Sequence, residues 1–283
     1  MNIKKLLFVI SITLYSFTIS YADIEANKIE TKLEIKNLNN SLFKDAKEVQ
    51  IDLTAQPMIA PRPKETTTSA VFVSAVHDGE RIALKFRWKD KEKSEAGKLG
   101  EFSDALAIMF PTKEAKDPPP LTMGDKENPV HLFHWRAQYQ KDRDFGKPDM
   151  KQLYPNMNPD MYPMEFKDSG NIKGLDDEKR EVYSHGKAAG NPQSYSKTGV
   201  DEIYAEGFGT TAVIDEHTTY GNGVWKNGEW ELILLRDLKR EKGSSLIPGH
   251  DTFLAFAVWQ GGLKEVGARK SISMDWTTLK IKQ

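Results

Sequence analysis

The chain has 283 residues, with 40 Lys and Arg against 41 Asp and Glu, and no cysteine. Without cysteine it cannot form disulfides, zinc–thiolate sites, cysteine-bound iron–sulfur clusters or the thioether attachment of a c-type haem. The net charge of −1 offers no basic surplus for nucleic acid, whereas 29% charged and 10% aromatic residues are typical of a folded domain with a sizeable core.

The first 22 residues predict a secretory signal peptide. Lys4 and Lys5 give a positive start, an apolar run extends from Leu6 to Ile19, and Ser20-Tyr21-Ala22 forms a small-x-small cleavage site. The alternative is an uncleaved membrane anchor, although the run is shorter than the roughly 20 residues that a spanning helix needs. We therefore expect a periplasmic protein that acquires any cofactor outside the cytoplasm.

The mature chain divides into a polar tail, or short helix, at 23–45 and one domain at 46–283. The domain is rich in short apolar stretches separated by Gly, Asn, Asp and Pro, a pattern typical of strands joined by turns. We predict an all-β fold, an antiparallel β-sandwich of the jelly-roll type. The clearest strands are Val49 to Leu53, Ala70 to His77, Arg81 to Trp88, Asp104 to Phe110, Val130 to Ala137, Gly209 to Ile214, Trp230 to Leu235, Thr252 to Trp259 and Ile272 to Ile281.

Two dipeptides predict tight hairpins within this sheet. Asp78-Gly79 and Asn227-Gly228 both suit the positive φ angles of a two-residue turn. From Arg81 to Trp88 the apolar residues occupy every second position, which predicts a strand with one buried face.

The strand pattern lapses at about 139–204. This stretch is rich in Lys, Asp, Gly, Asn and Pro, and it includes four methionines. A loop of such length inside a compact domain usually has a function. We interpret it as an insertion that covers a ligand or meets a partner, with a mobile surface loop as the alternative.

Known catalytic motifs are missing from the sequence. There is no nucleophile elbow, zinc-protease motif or P-loop, and Gly207-Phe208-Gly209 precedes a strand, where a dinucleotide-binding loop would precede a helix. His131 and His134 stand three apart on a predicted strand, so they point to opposite faces, which argues against joint metal ligation. We expect one to be partly buried and the other exposed. A carboxylate pair for glycoside hydrolysis stays open, because sequence does not show how far apart carboxylates lie.

Four segments together resemble the haem b subunit of the ethylbenzene dehydrogenase group. That group includes the gamma subunits of ethylbenzene dehydrogenase, dimethylsulfide dehydrogenase, selenate reductase and chlorate reductase, with similar subunits in some nitrite oxidoreductases. The resemblance spans about Val49 to Leu279. The segments are Phe102 to Pro111; Met123-Gly124 with Val130 to Ala137; Ala189 to Pro192 with Ala205 to Thr210; and Leu254 to Gly262 with Gly267 to Ser271 and Trp276.

The resemblance implies a β-sandwich related to family 9 carbohydrate-binding modules that holds one non-covalent haem b. The iron ligands would be the Met123 thioether and the Lys270 amine. A sulfur ligand favours ferrous iron, and lysine binds iron only as the neutral amine, so its pKa has to be lowered by burial. From the residues alone, Lys270 beside Arg269 would be a solvated basic pair.

Other residues remain as candidates around this site. Lys264 and Lys197 are rival amine ligands, and Arg136 and Arg269 could bind the haem propionates by charge. The charged stretch from Asp142 to Lys187 departs from the subunits of the group.

The resemblance further implies an electron-transfer subunit without catalysis of its own. Its partners would be an iron–sulfur beta subunit, a molybdenum-cofactor alpha subunit, and a soluble cytochrome c or similar carrier. The competing class is a haem-free carbohydrate-binding β-sandwich with an aromatic cleft, and a third class is a hydrolase.

Overall fold

The computed structural model describes residues 23–96, 98–114, 116–146, 148, 150–156, 198–214 and 218–283. The predicted signal peptide, Lys197 and most of the predicted insertion lie outside these residues. The strands are β1 (Ile24–Lys28), β2 (Val49–Asp52), β3 (Thr54–Ala55), β4 (Ala70–His77), β5 (Arg81–Lys89), β6 (Ala105–Pro111), β7 (Val130–Arg136), β8 (Val200–Ala205), β9 (Ala212–Val213), β10 (Tyr220–Lys226), β11 (Glu229–Asp237), β12 (Asp251–Trp259), β13 (Ser271–Ile272) and β14 (Thr277–Ile281).

Helices are few and short in the described residues. The α-helices are α1 (Ala137–Phe145) and α2 (Met150–Leu153), and short 3-10 turns occupy Ile35–Asn37, Asn40–Phe43 and Gly261–Leu263. Within these residues, no helix has the length and apolar character needed to cross a membrane.

The strands form one 14-stranded sheet that curls into two layers. The first layer runs β10-β11-β5-β4-β1-β14, and the second runs β12-β6-β7-β8-β9. Strand β12 belongs to both, because Asp251 to Leu254 pair with β14 whereas Ala255 to Trp259 pair with β6. The predicted all-β sandwich is therefore confirmed.

Aromatic rings fill the space between the layers. The Phe86 ring of β5 meets the Phe256 ring of β12 with centroids 6.4 Å apart, and Trp135 of β7 meets Trp230 of β11 at 5.1 Å. Such edge-to-face pairs add to the free energy that their burial contributes. The alternation predicted for β5 is confirmed, since Ile82, Leu84, Phe86 and Trp88 are fully buried.

Both predicted hairpins are present. Gly79 has φ +96° between β4 and β5, and its neighbour Asp78 accepts hydrogen bonds from the backbone N–H groups of Glu80 and Arg81. Asn227 and Gly228 have φ +55° and +77° between β10 and β11, the positive pair that such a turn requires.

Several element boundaries differ from the prediction. The segment 23–45, expected to be a tail or short helix, begins with β1, which pairs in parallel with both β14 and β4. The strand predicted from Gly209 to Ile214 is only Ala212–Val213, and that predicted from Ile272 to Ile281 is split into β13 and β14. Strands β3 and β8 were not predicted, and of β10 only the end at Val224-Trp225, next to the Asn227-Gly228 turn, was predicted.

These differences arise because tertiary pairing overrides local pattern. Strand β8 shows no alternation, since Asp201 and Glu202 are both fully buried. Strand β10 contains Gly223, where a Cβ atom would lie 2.5 Å from the Trp135 ring. Glycine there lowers strand propensity but allows the indole to pack against the backbone.

Candidate functional site

The outward face of the second layer is covered, so this layer has a buried surface on both sides. Along β6, Leu106, Ile108 and Phe110 belong to the core between the layers. The alternate residues Ala105, Ala107 and Met109 point outward, yet their exposed fractions are only 3%, 4% and 7%. Loops outside the sandwich therefore enclose a second, smaller interior.

Strand register arranges this outward face in three levels. At the first, Met109 lies between Leu132 and Ala255; at the second, Ala107 lies between His134 and Ala257; at the third, Ala105 lies between Arg136 and Trp259. We call Ala105, Ala107, Ala255 and Ala257 the alanine floor. The first and third levels are four positions apart along each strand, a distance of roughly 13 Å.

Met123 lies at the first level. Its side chain is half-buried against the apolar cluster of Met109, Val130, Ala205 and Ala255, beside Leu121 and Trp276. The backbone of Met123 is left-handed, with φ +68°, and its carbonyl accepts a hydrogen bond of 2.9 Å from the N–H of Gly207. A non-glycine residue in this conformation needs support from its surroundings, and the Gly207 loop supplies it.

Lys270 lies at the third level. It directly precedes β13, and its Nζ is 4.8 Å from the centre of the Trp259 ring. Burial lowers the pKa of Lys270 to about 8. Among the residues that the structure describes, no carboxylate forms an ion pair with it. The amine therefore loses its proton more easily than a surface lysine does, and it lies on an aromatic surface, which suits a metal ligand better than a surface cation.

A cavity of about 150 Å³ opens beside the third level. It is lined by residues that include Ala105, His134, Arg136, Trp259 and Val266. A larger polar hollow of about 550 Å³ lies elsewhere, at the start of β12 near His250, and is open to solvent. The smaller cavity adjoins the alanine floor and is the relevant one.

The two histidines of β7 point to opposite faces, as predicted. The expectation that one of them is exposed is wrong: His131 is fully buried in the sandwich, and His134 is half-buried on the outward face. Loops cover that face as well, which the strand pattern did not show. The His134 ring lies 4.8 Å from the Trp259 ring, and its Nε2 is buried without a hydrogen-bond partner.

The other predicted site residues are distributed as follows. Arg136 lines the cavity and donates a hydrogen bond of 2.8 Å to the Tyr139 hydroxyl. Arg269 is half-buried, with Nε buried and unpartnered. Lys264 is exposed at the end of a 3-10 turn. The rival ligand Lys197 lies outside the described residues.

A buried acid pair supports the segment that leads to Lys270. The carboxylate of Asp104 accepts hydrogen bonds from the N–H groups of Ser94, Trp230 and Gly261 at 2.6, 3.0 and 2.8 Å. Gly261 begins the loop between Trp259 and Lys270, so Asp104 positions that loop. Burial and the neighbouring Asp104 carboxylate raise the pKa of Asp90 to about 8. This raised pKa favours a protonated Asp90 at neutral pH.

Replacing Asp90 by asparagine is expected to stabilise the protein at alkaline pH. Because the pKa of Asp90 is higher in the folded than in the unfolded state, the free energy of unfolding falls as pH rises from about 4 to about 8. An asparagine amide stays neutral and can donate to Asp104 at every pH. Urea unfolding at pH 5 and pH 8 should show a gain over wild type that is roughly 3–4 kcal/mol larger at pH 8 than at pH 5. The exposed Asp45→Asn is the control, and an equal gain at both pH values would contradict the raised pKa of Asp90.

Sequence reasoning gave no role to His134, Asp90 or Asp104. Asp104 was part of a segment that carries the resemblance, and an aspartate immediately before seven apolar residues was the available signal. His134 also lies in such a segment, Val130 to Ala137, whereas Asp90 had no signal in the sequence because its importance depends on burial across strands.

Comparison with known proteins decides the family. The family model described as "Ethylbenzene dehydrogenase" matches residues 40–271. The chain belongs to the ethylbenzene dehydrogenase family. The resemblance inferred from the four sequence segments is thereby confirmed, and the match includes both Met123 and Lys270.

Relatives of this family member are distant in sequence. The chain is 22% identical over 232 residues to a candidate respiratory nitrate reductase heme subunit of Haloferax mediterranei, covering 81% of this chain and 62% of that protein. It therefore spans less than two thirds of that relative. It is 22% identical to the chlorate reductase subunit gamma of Ideonella dechloratans, covering 85% and 77%, and 21% identical to the dimethylsulfide dehydrogenase subunit gamma of Rhodovulum sulfidophilum, covering 81% and 69%.

Among solved structures, this family member is similar to a family 9 carbohydrate-binding module of Caldicellulosiruptor kristjanssonii in complex with glucose. The TM-score is 0.45 at 9% identity, over 92% of this chain and 95% of that chain.

Proposed function

We propose that the protein binds one non-covalent haem b and relays electrons as a subunit of a molybdenum oxidoreductase complex. Family membership supports this proposal, as do relatives whose names are heme subunit or gamma subunit of nitrate reductase, chlorate reductase and dimethylsulfide dehydrogenase. The chain itself would carry out no substrate chemistry.

One observation carries the cofactor proposal. Met123 and Lys270 lie at opposite ends of one covered apolar face, and Lys270 is buried there on an aromatic ring without a carboxylate partner among the described residues. A buried lysine without an acid partner loses solvation for no gain in folding. Coordination of a metal by the neutral amine removes that cost. The donor set, one thioether and one amine, therefore fits haem iron.

The residues of the chain would control the bound group in three ways. Haem, when bound, supplies one-electron exchange. The thioether of Met123 favours the ferrous form and so raises the potential. Burial of Lys270 keeps its lone pair available, and the alanine floor admits a flat ring to the sheet while excluding water. Hydrogen bonds of the Asp104 carboxylate hold the loop that carries the amine.

Entry of the cofactor requires a local movement. The cavity beside the third level holds about 150 Å³, which is below the roughly 300–1,000 Å³ of pockets that enclose organic ligands. The loops at 101–103 and 265–267 line this cavity. We expect them to move outward when the ring enters, with the strands of the floor unchanged.

Location and partners complete the proposal. The charged start and apolar run of residues 1–22 favour export to the periplasm. An iron–sulfur subunit and, through it, a molybdenum-cofactor subunit would exchange electrons with the haem, and a cytochrome c or similar carrier would lie on the other side.

An absorption spectrum tests the function. The exported chain, produced with ample haem, should contain about one haem per chain and show a sharp low-spin α band after dithionite reduction. The reduced protein should then be reoxidised by added cytochrome c. A colourless protein that binds cello-oligosaccharides would contradict the proposal and favour the carbohydrate-binding alternative.

A further inference from the structure

His134 is a buried polar group that the protein itself leaves unsatisfied. Its Nε2 has no hydrogen-bond partner, although the ring lies among the residues that line the cavity. Leaving a buried donor or acceptor unpaired usually costs about 1–3 kcal/mol. A partner from outside the chain would remove that cost.

Nε2 of His131, on the same strand, also makes no hydrogen bond, but its neighbours differ from those of His134. His131 Nδ1 accepts a hydrogen bond of 3.1 Å from the N–H of Ser244, and its Nε2 faces Glu202 at 3.5 Å. Both of its nitrogens thus have protein neighbours of suitable chemistry. His134 has an indole ring on one side and the cavity beside it.

The surroundings of His134 favour an anion. Burial, and then the positive charges of Arg136 and Lys270, hold the pKa of His134 well below its usual value. The ring is therefore neutral and offers one N–H group. Arg136 lines the same cavity and adds a positive charge. Two carboxylates, Glu101 and Glu265, line it as well, but they already accept hydrogen bonds from the N–H groups of Lys98 and Gln260. A neutral N–H donor beside a guanidinium is a suitable environment for a carboxylate.

The position of His134 beside the alanine floor indicates where such a carboxylate would come from. It occupies the second level, between the level of Met123 and that of Lys270, so a ring held between those two residues would lie beside it. The polar groups on the edge of haem b are its propionates. We propose that Nε2 of His134 donates a hydrogen bond to a propionate carboxylate of the bound haem. This inference rests on the proposed function.

Two forms of the cofactor separate this contact from a general effect on the pocket. The apoprotein is titrated with haem b and with haem dimethyl ester, whose propionates carry no charge. For His134→Phe, the Kd for haem b should rise about tenfold, as expected for loss of a hydrogen bond to a charged group. The Kd for the ester should be nearly unchanged. His134→Gln, which retains an N–H donor, should restore most of the affinity for haem b.

Matched controls are available in the chain. His77 is also fully buried, with both ring nitrogens unpartnered, but it lies on β4 in the first layer. His77→Phe should leave both Kd values unchanged, and circular dichroism of each apoprotein verifies folding.

The outcomes distinguish the two proposals. Equal weakening for haem b and the ester, or none for either, would overturn the propionate contact while haem binding by the wild type stands. A high-spin spectrum of His134→Phe would instead identify His134 as an iron ligand. Failure of the wild type to bind haem at all would overturn the proposed function and this inference together.

Discussion

Alanine at Met123 or at Lys270 is expected to abolish the low-spin spectrum and to reduce haem retention severely. Each substitution removes one of the two protein atoms proposed to bind iron, so the iron becomes five-coordinate or takes water. We expect the reduced α band to broaden or disappear in both variants. The haem content after purification should fall by about tenfold or more, as for loss of a bond worth at least 1.4 kcal/mol.

Two exposed residues provide matched controls. Met274 lies two residues before Trp276 and is 41% exposed, and Lys264 is exposed in the same loop as Lys270. Met274→Ala and Lys264→Ala should keep a normal spectrum. If Lys264→Ala removes the low-spin signal and Lys270→Ala does not, the amine ligand has been assigned to the wrong lysine. Normal spectra in both Met123→Ala and Lys270→Ala would overturn the ligand pair.

The largest loss of stability should follow replacement of Glu202 by glutamine. Glu202 is fully buried on β8, where it pairs with Arg240 and His131 and accepts a hydrogen bond of 2.9 Å from the N–H of Thr219. The fully buried Arg236 lies nearby, with its guanidinium 4.6 Å from the Phe133 ring centre. Removing the Glu202 carboxylate from this buried cationic group takes away negative charge that compensates Arg240 and Arg236. The expected loss is about 3 kcal/mol in the free energy of unfolding.

The pH dependence of this loss has a defined sign. Although burial raises the pKa of Glu202, hydrogen bonding to His131 and the charge of Arg240 bring it below its usual value. Stability from the carboxylate is therefore present above its unfolded pKa of about 4 and is lost as pH falls below that value. Wild type and Glu202→Gln should differ at pH 7 and converge in acid. Urea unfolding measures this, with the exposed Glu206→Gln as control.

An equal free energy of unfolding in wild type and Glu202→Gln at pH 7 would contradict a supporting role for the ion pair. A constant difference down to pH 3 would indicate that shape, not charge, is what the substitution disturbs.

Elements whose structure depends only on residues adjacent in the chain could be predicted from the sequence. Alternation in β5 and the Asp78-Gly79 and Asn227-Gly228 turns were predictable, because strand periodicity and positive φ angles are properties of short segments. Strands β1 and β8 were not predictable, because their pairing partners are distant in sequence and their polar residues obscure the pattern. Resemblance to a family, carried by segments such as Leu254 to Gly262, led to the proposal of a haem and of its two ligands.

Burial across distant strands was decided only by the tertiary structure. In sequence, Lys270 follows Arg269 as an ordinary basic pair; in the fold, the register of β12 and β13 places its amine over Trp259, where loss of solvation lowers its pKa. In sequence, His134 likewise lies on one face of a strand, and only the tertiary structure shows that loops cover that face. Charge state and hydrogen-bond satisfaction depend on what surrounds a group in space, so composition and spacing determined the sandwich, and packing determined the site.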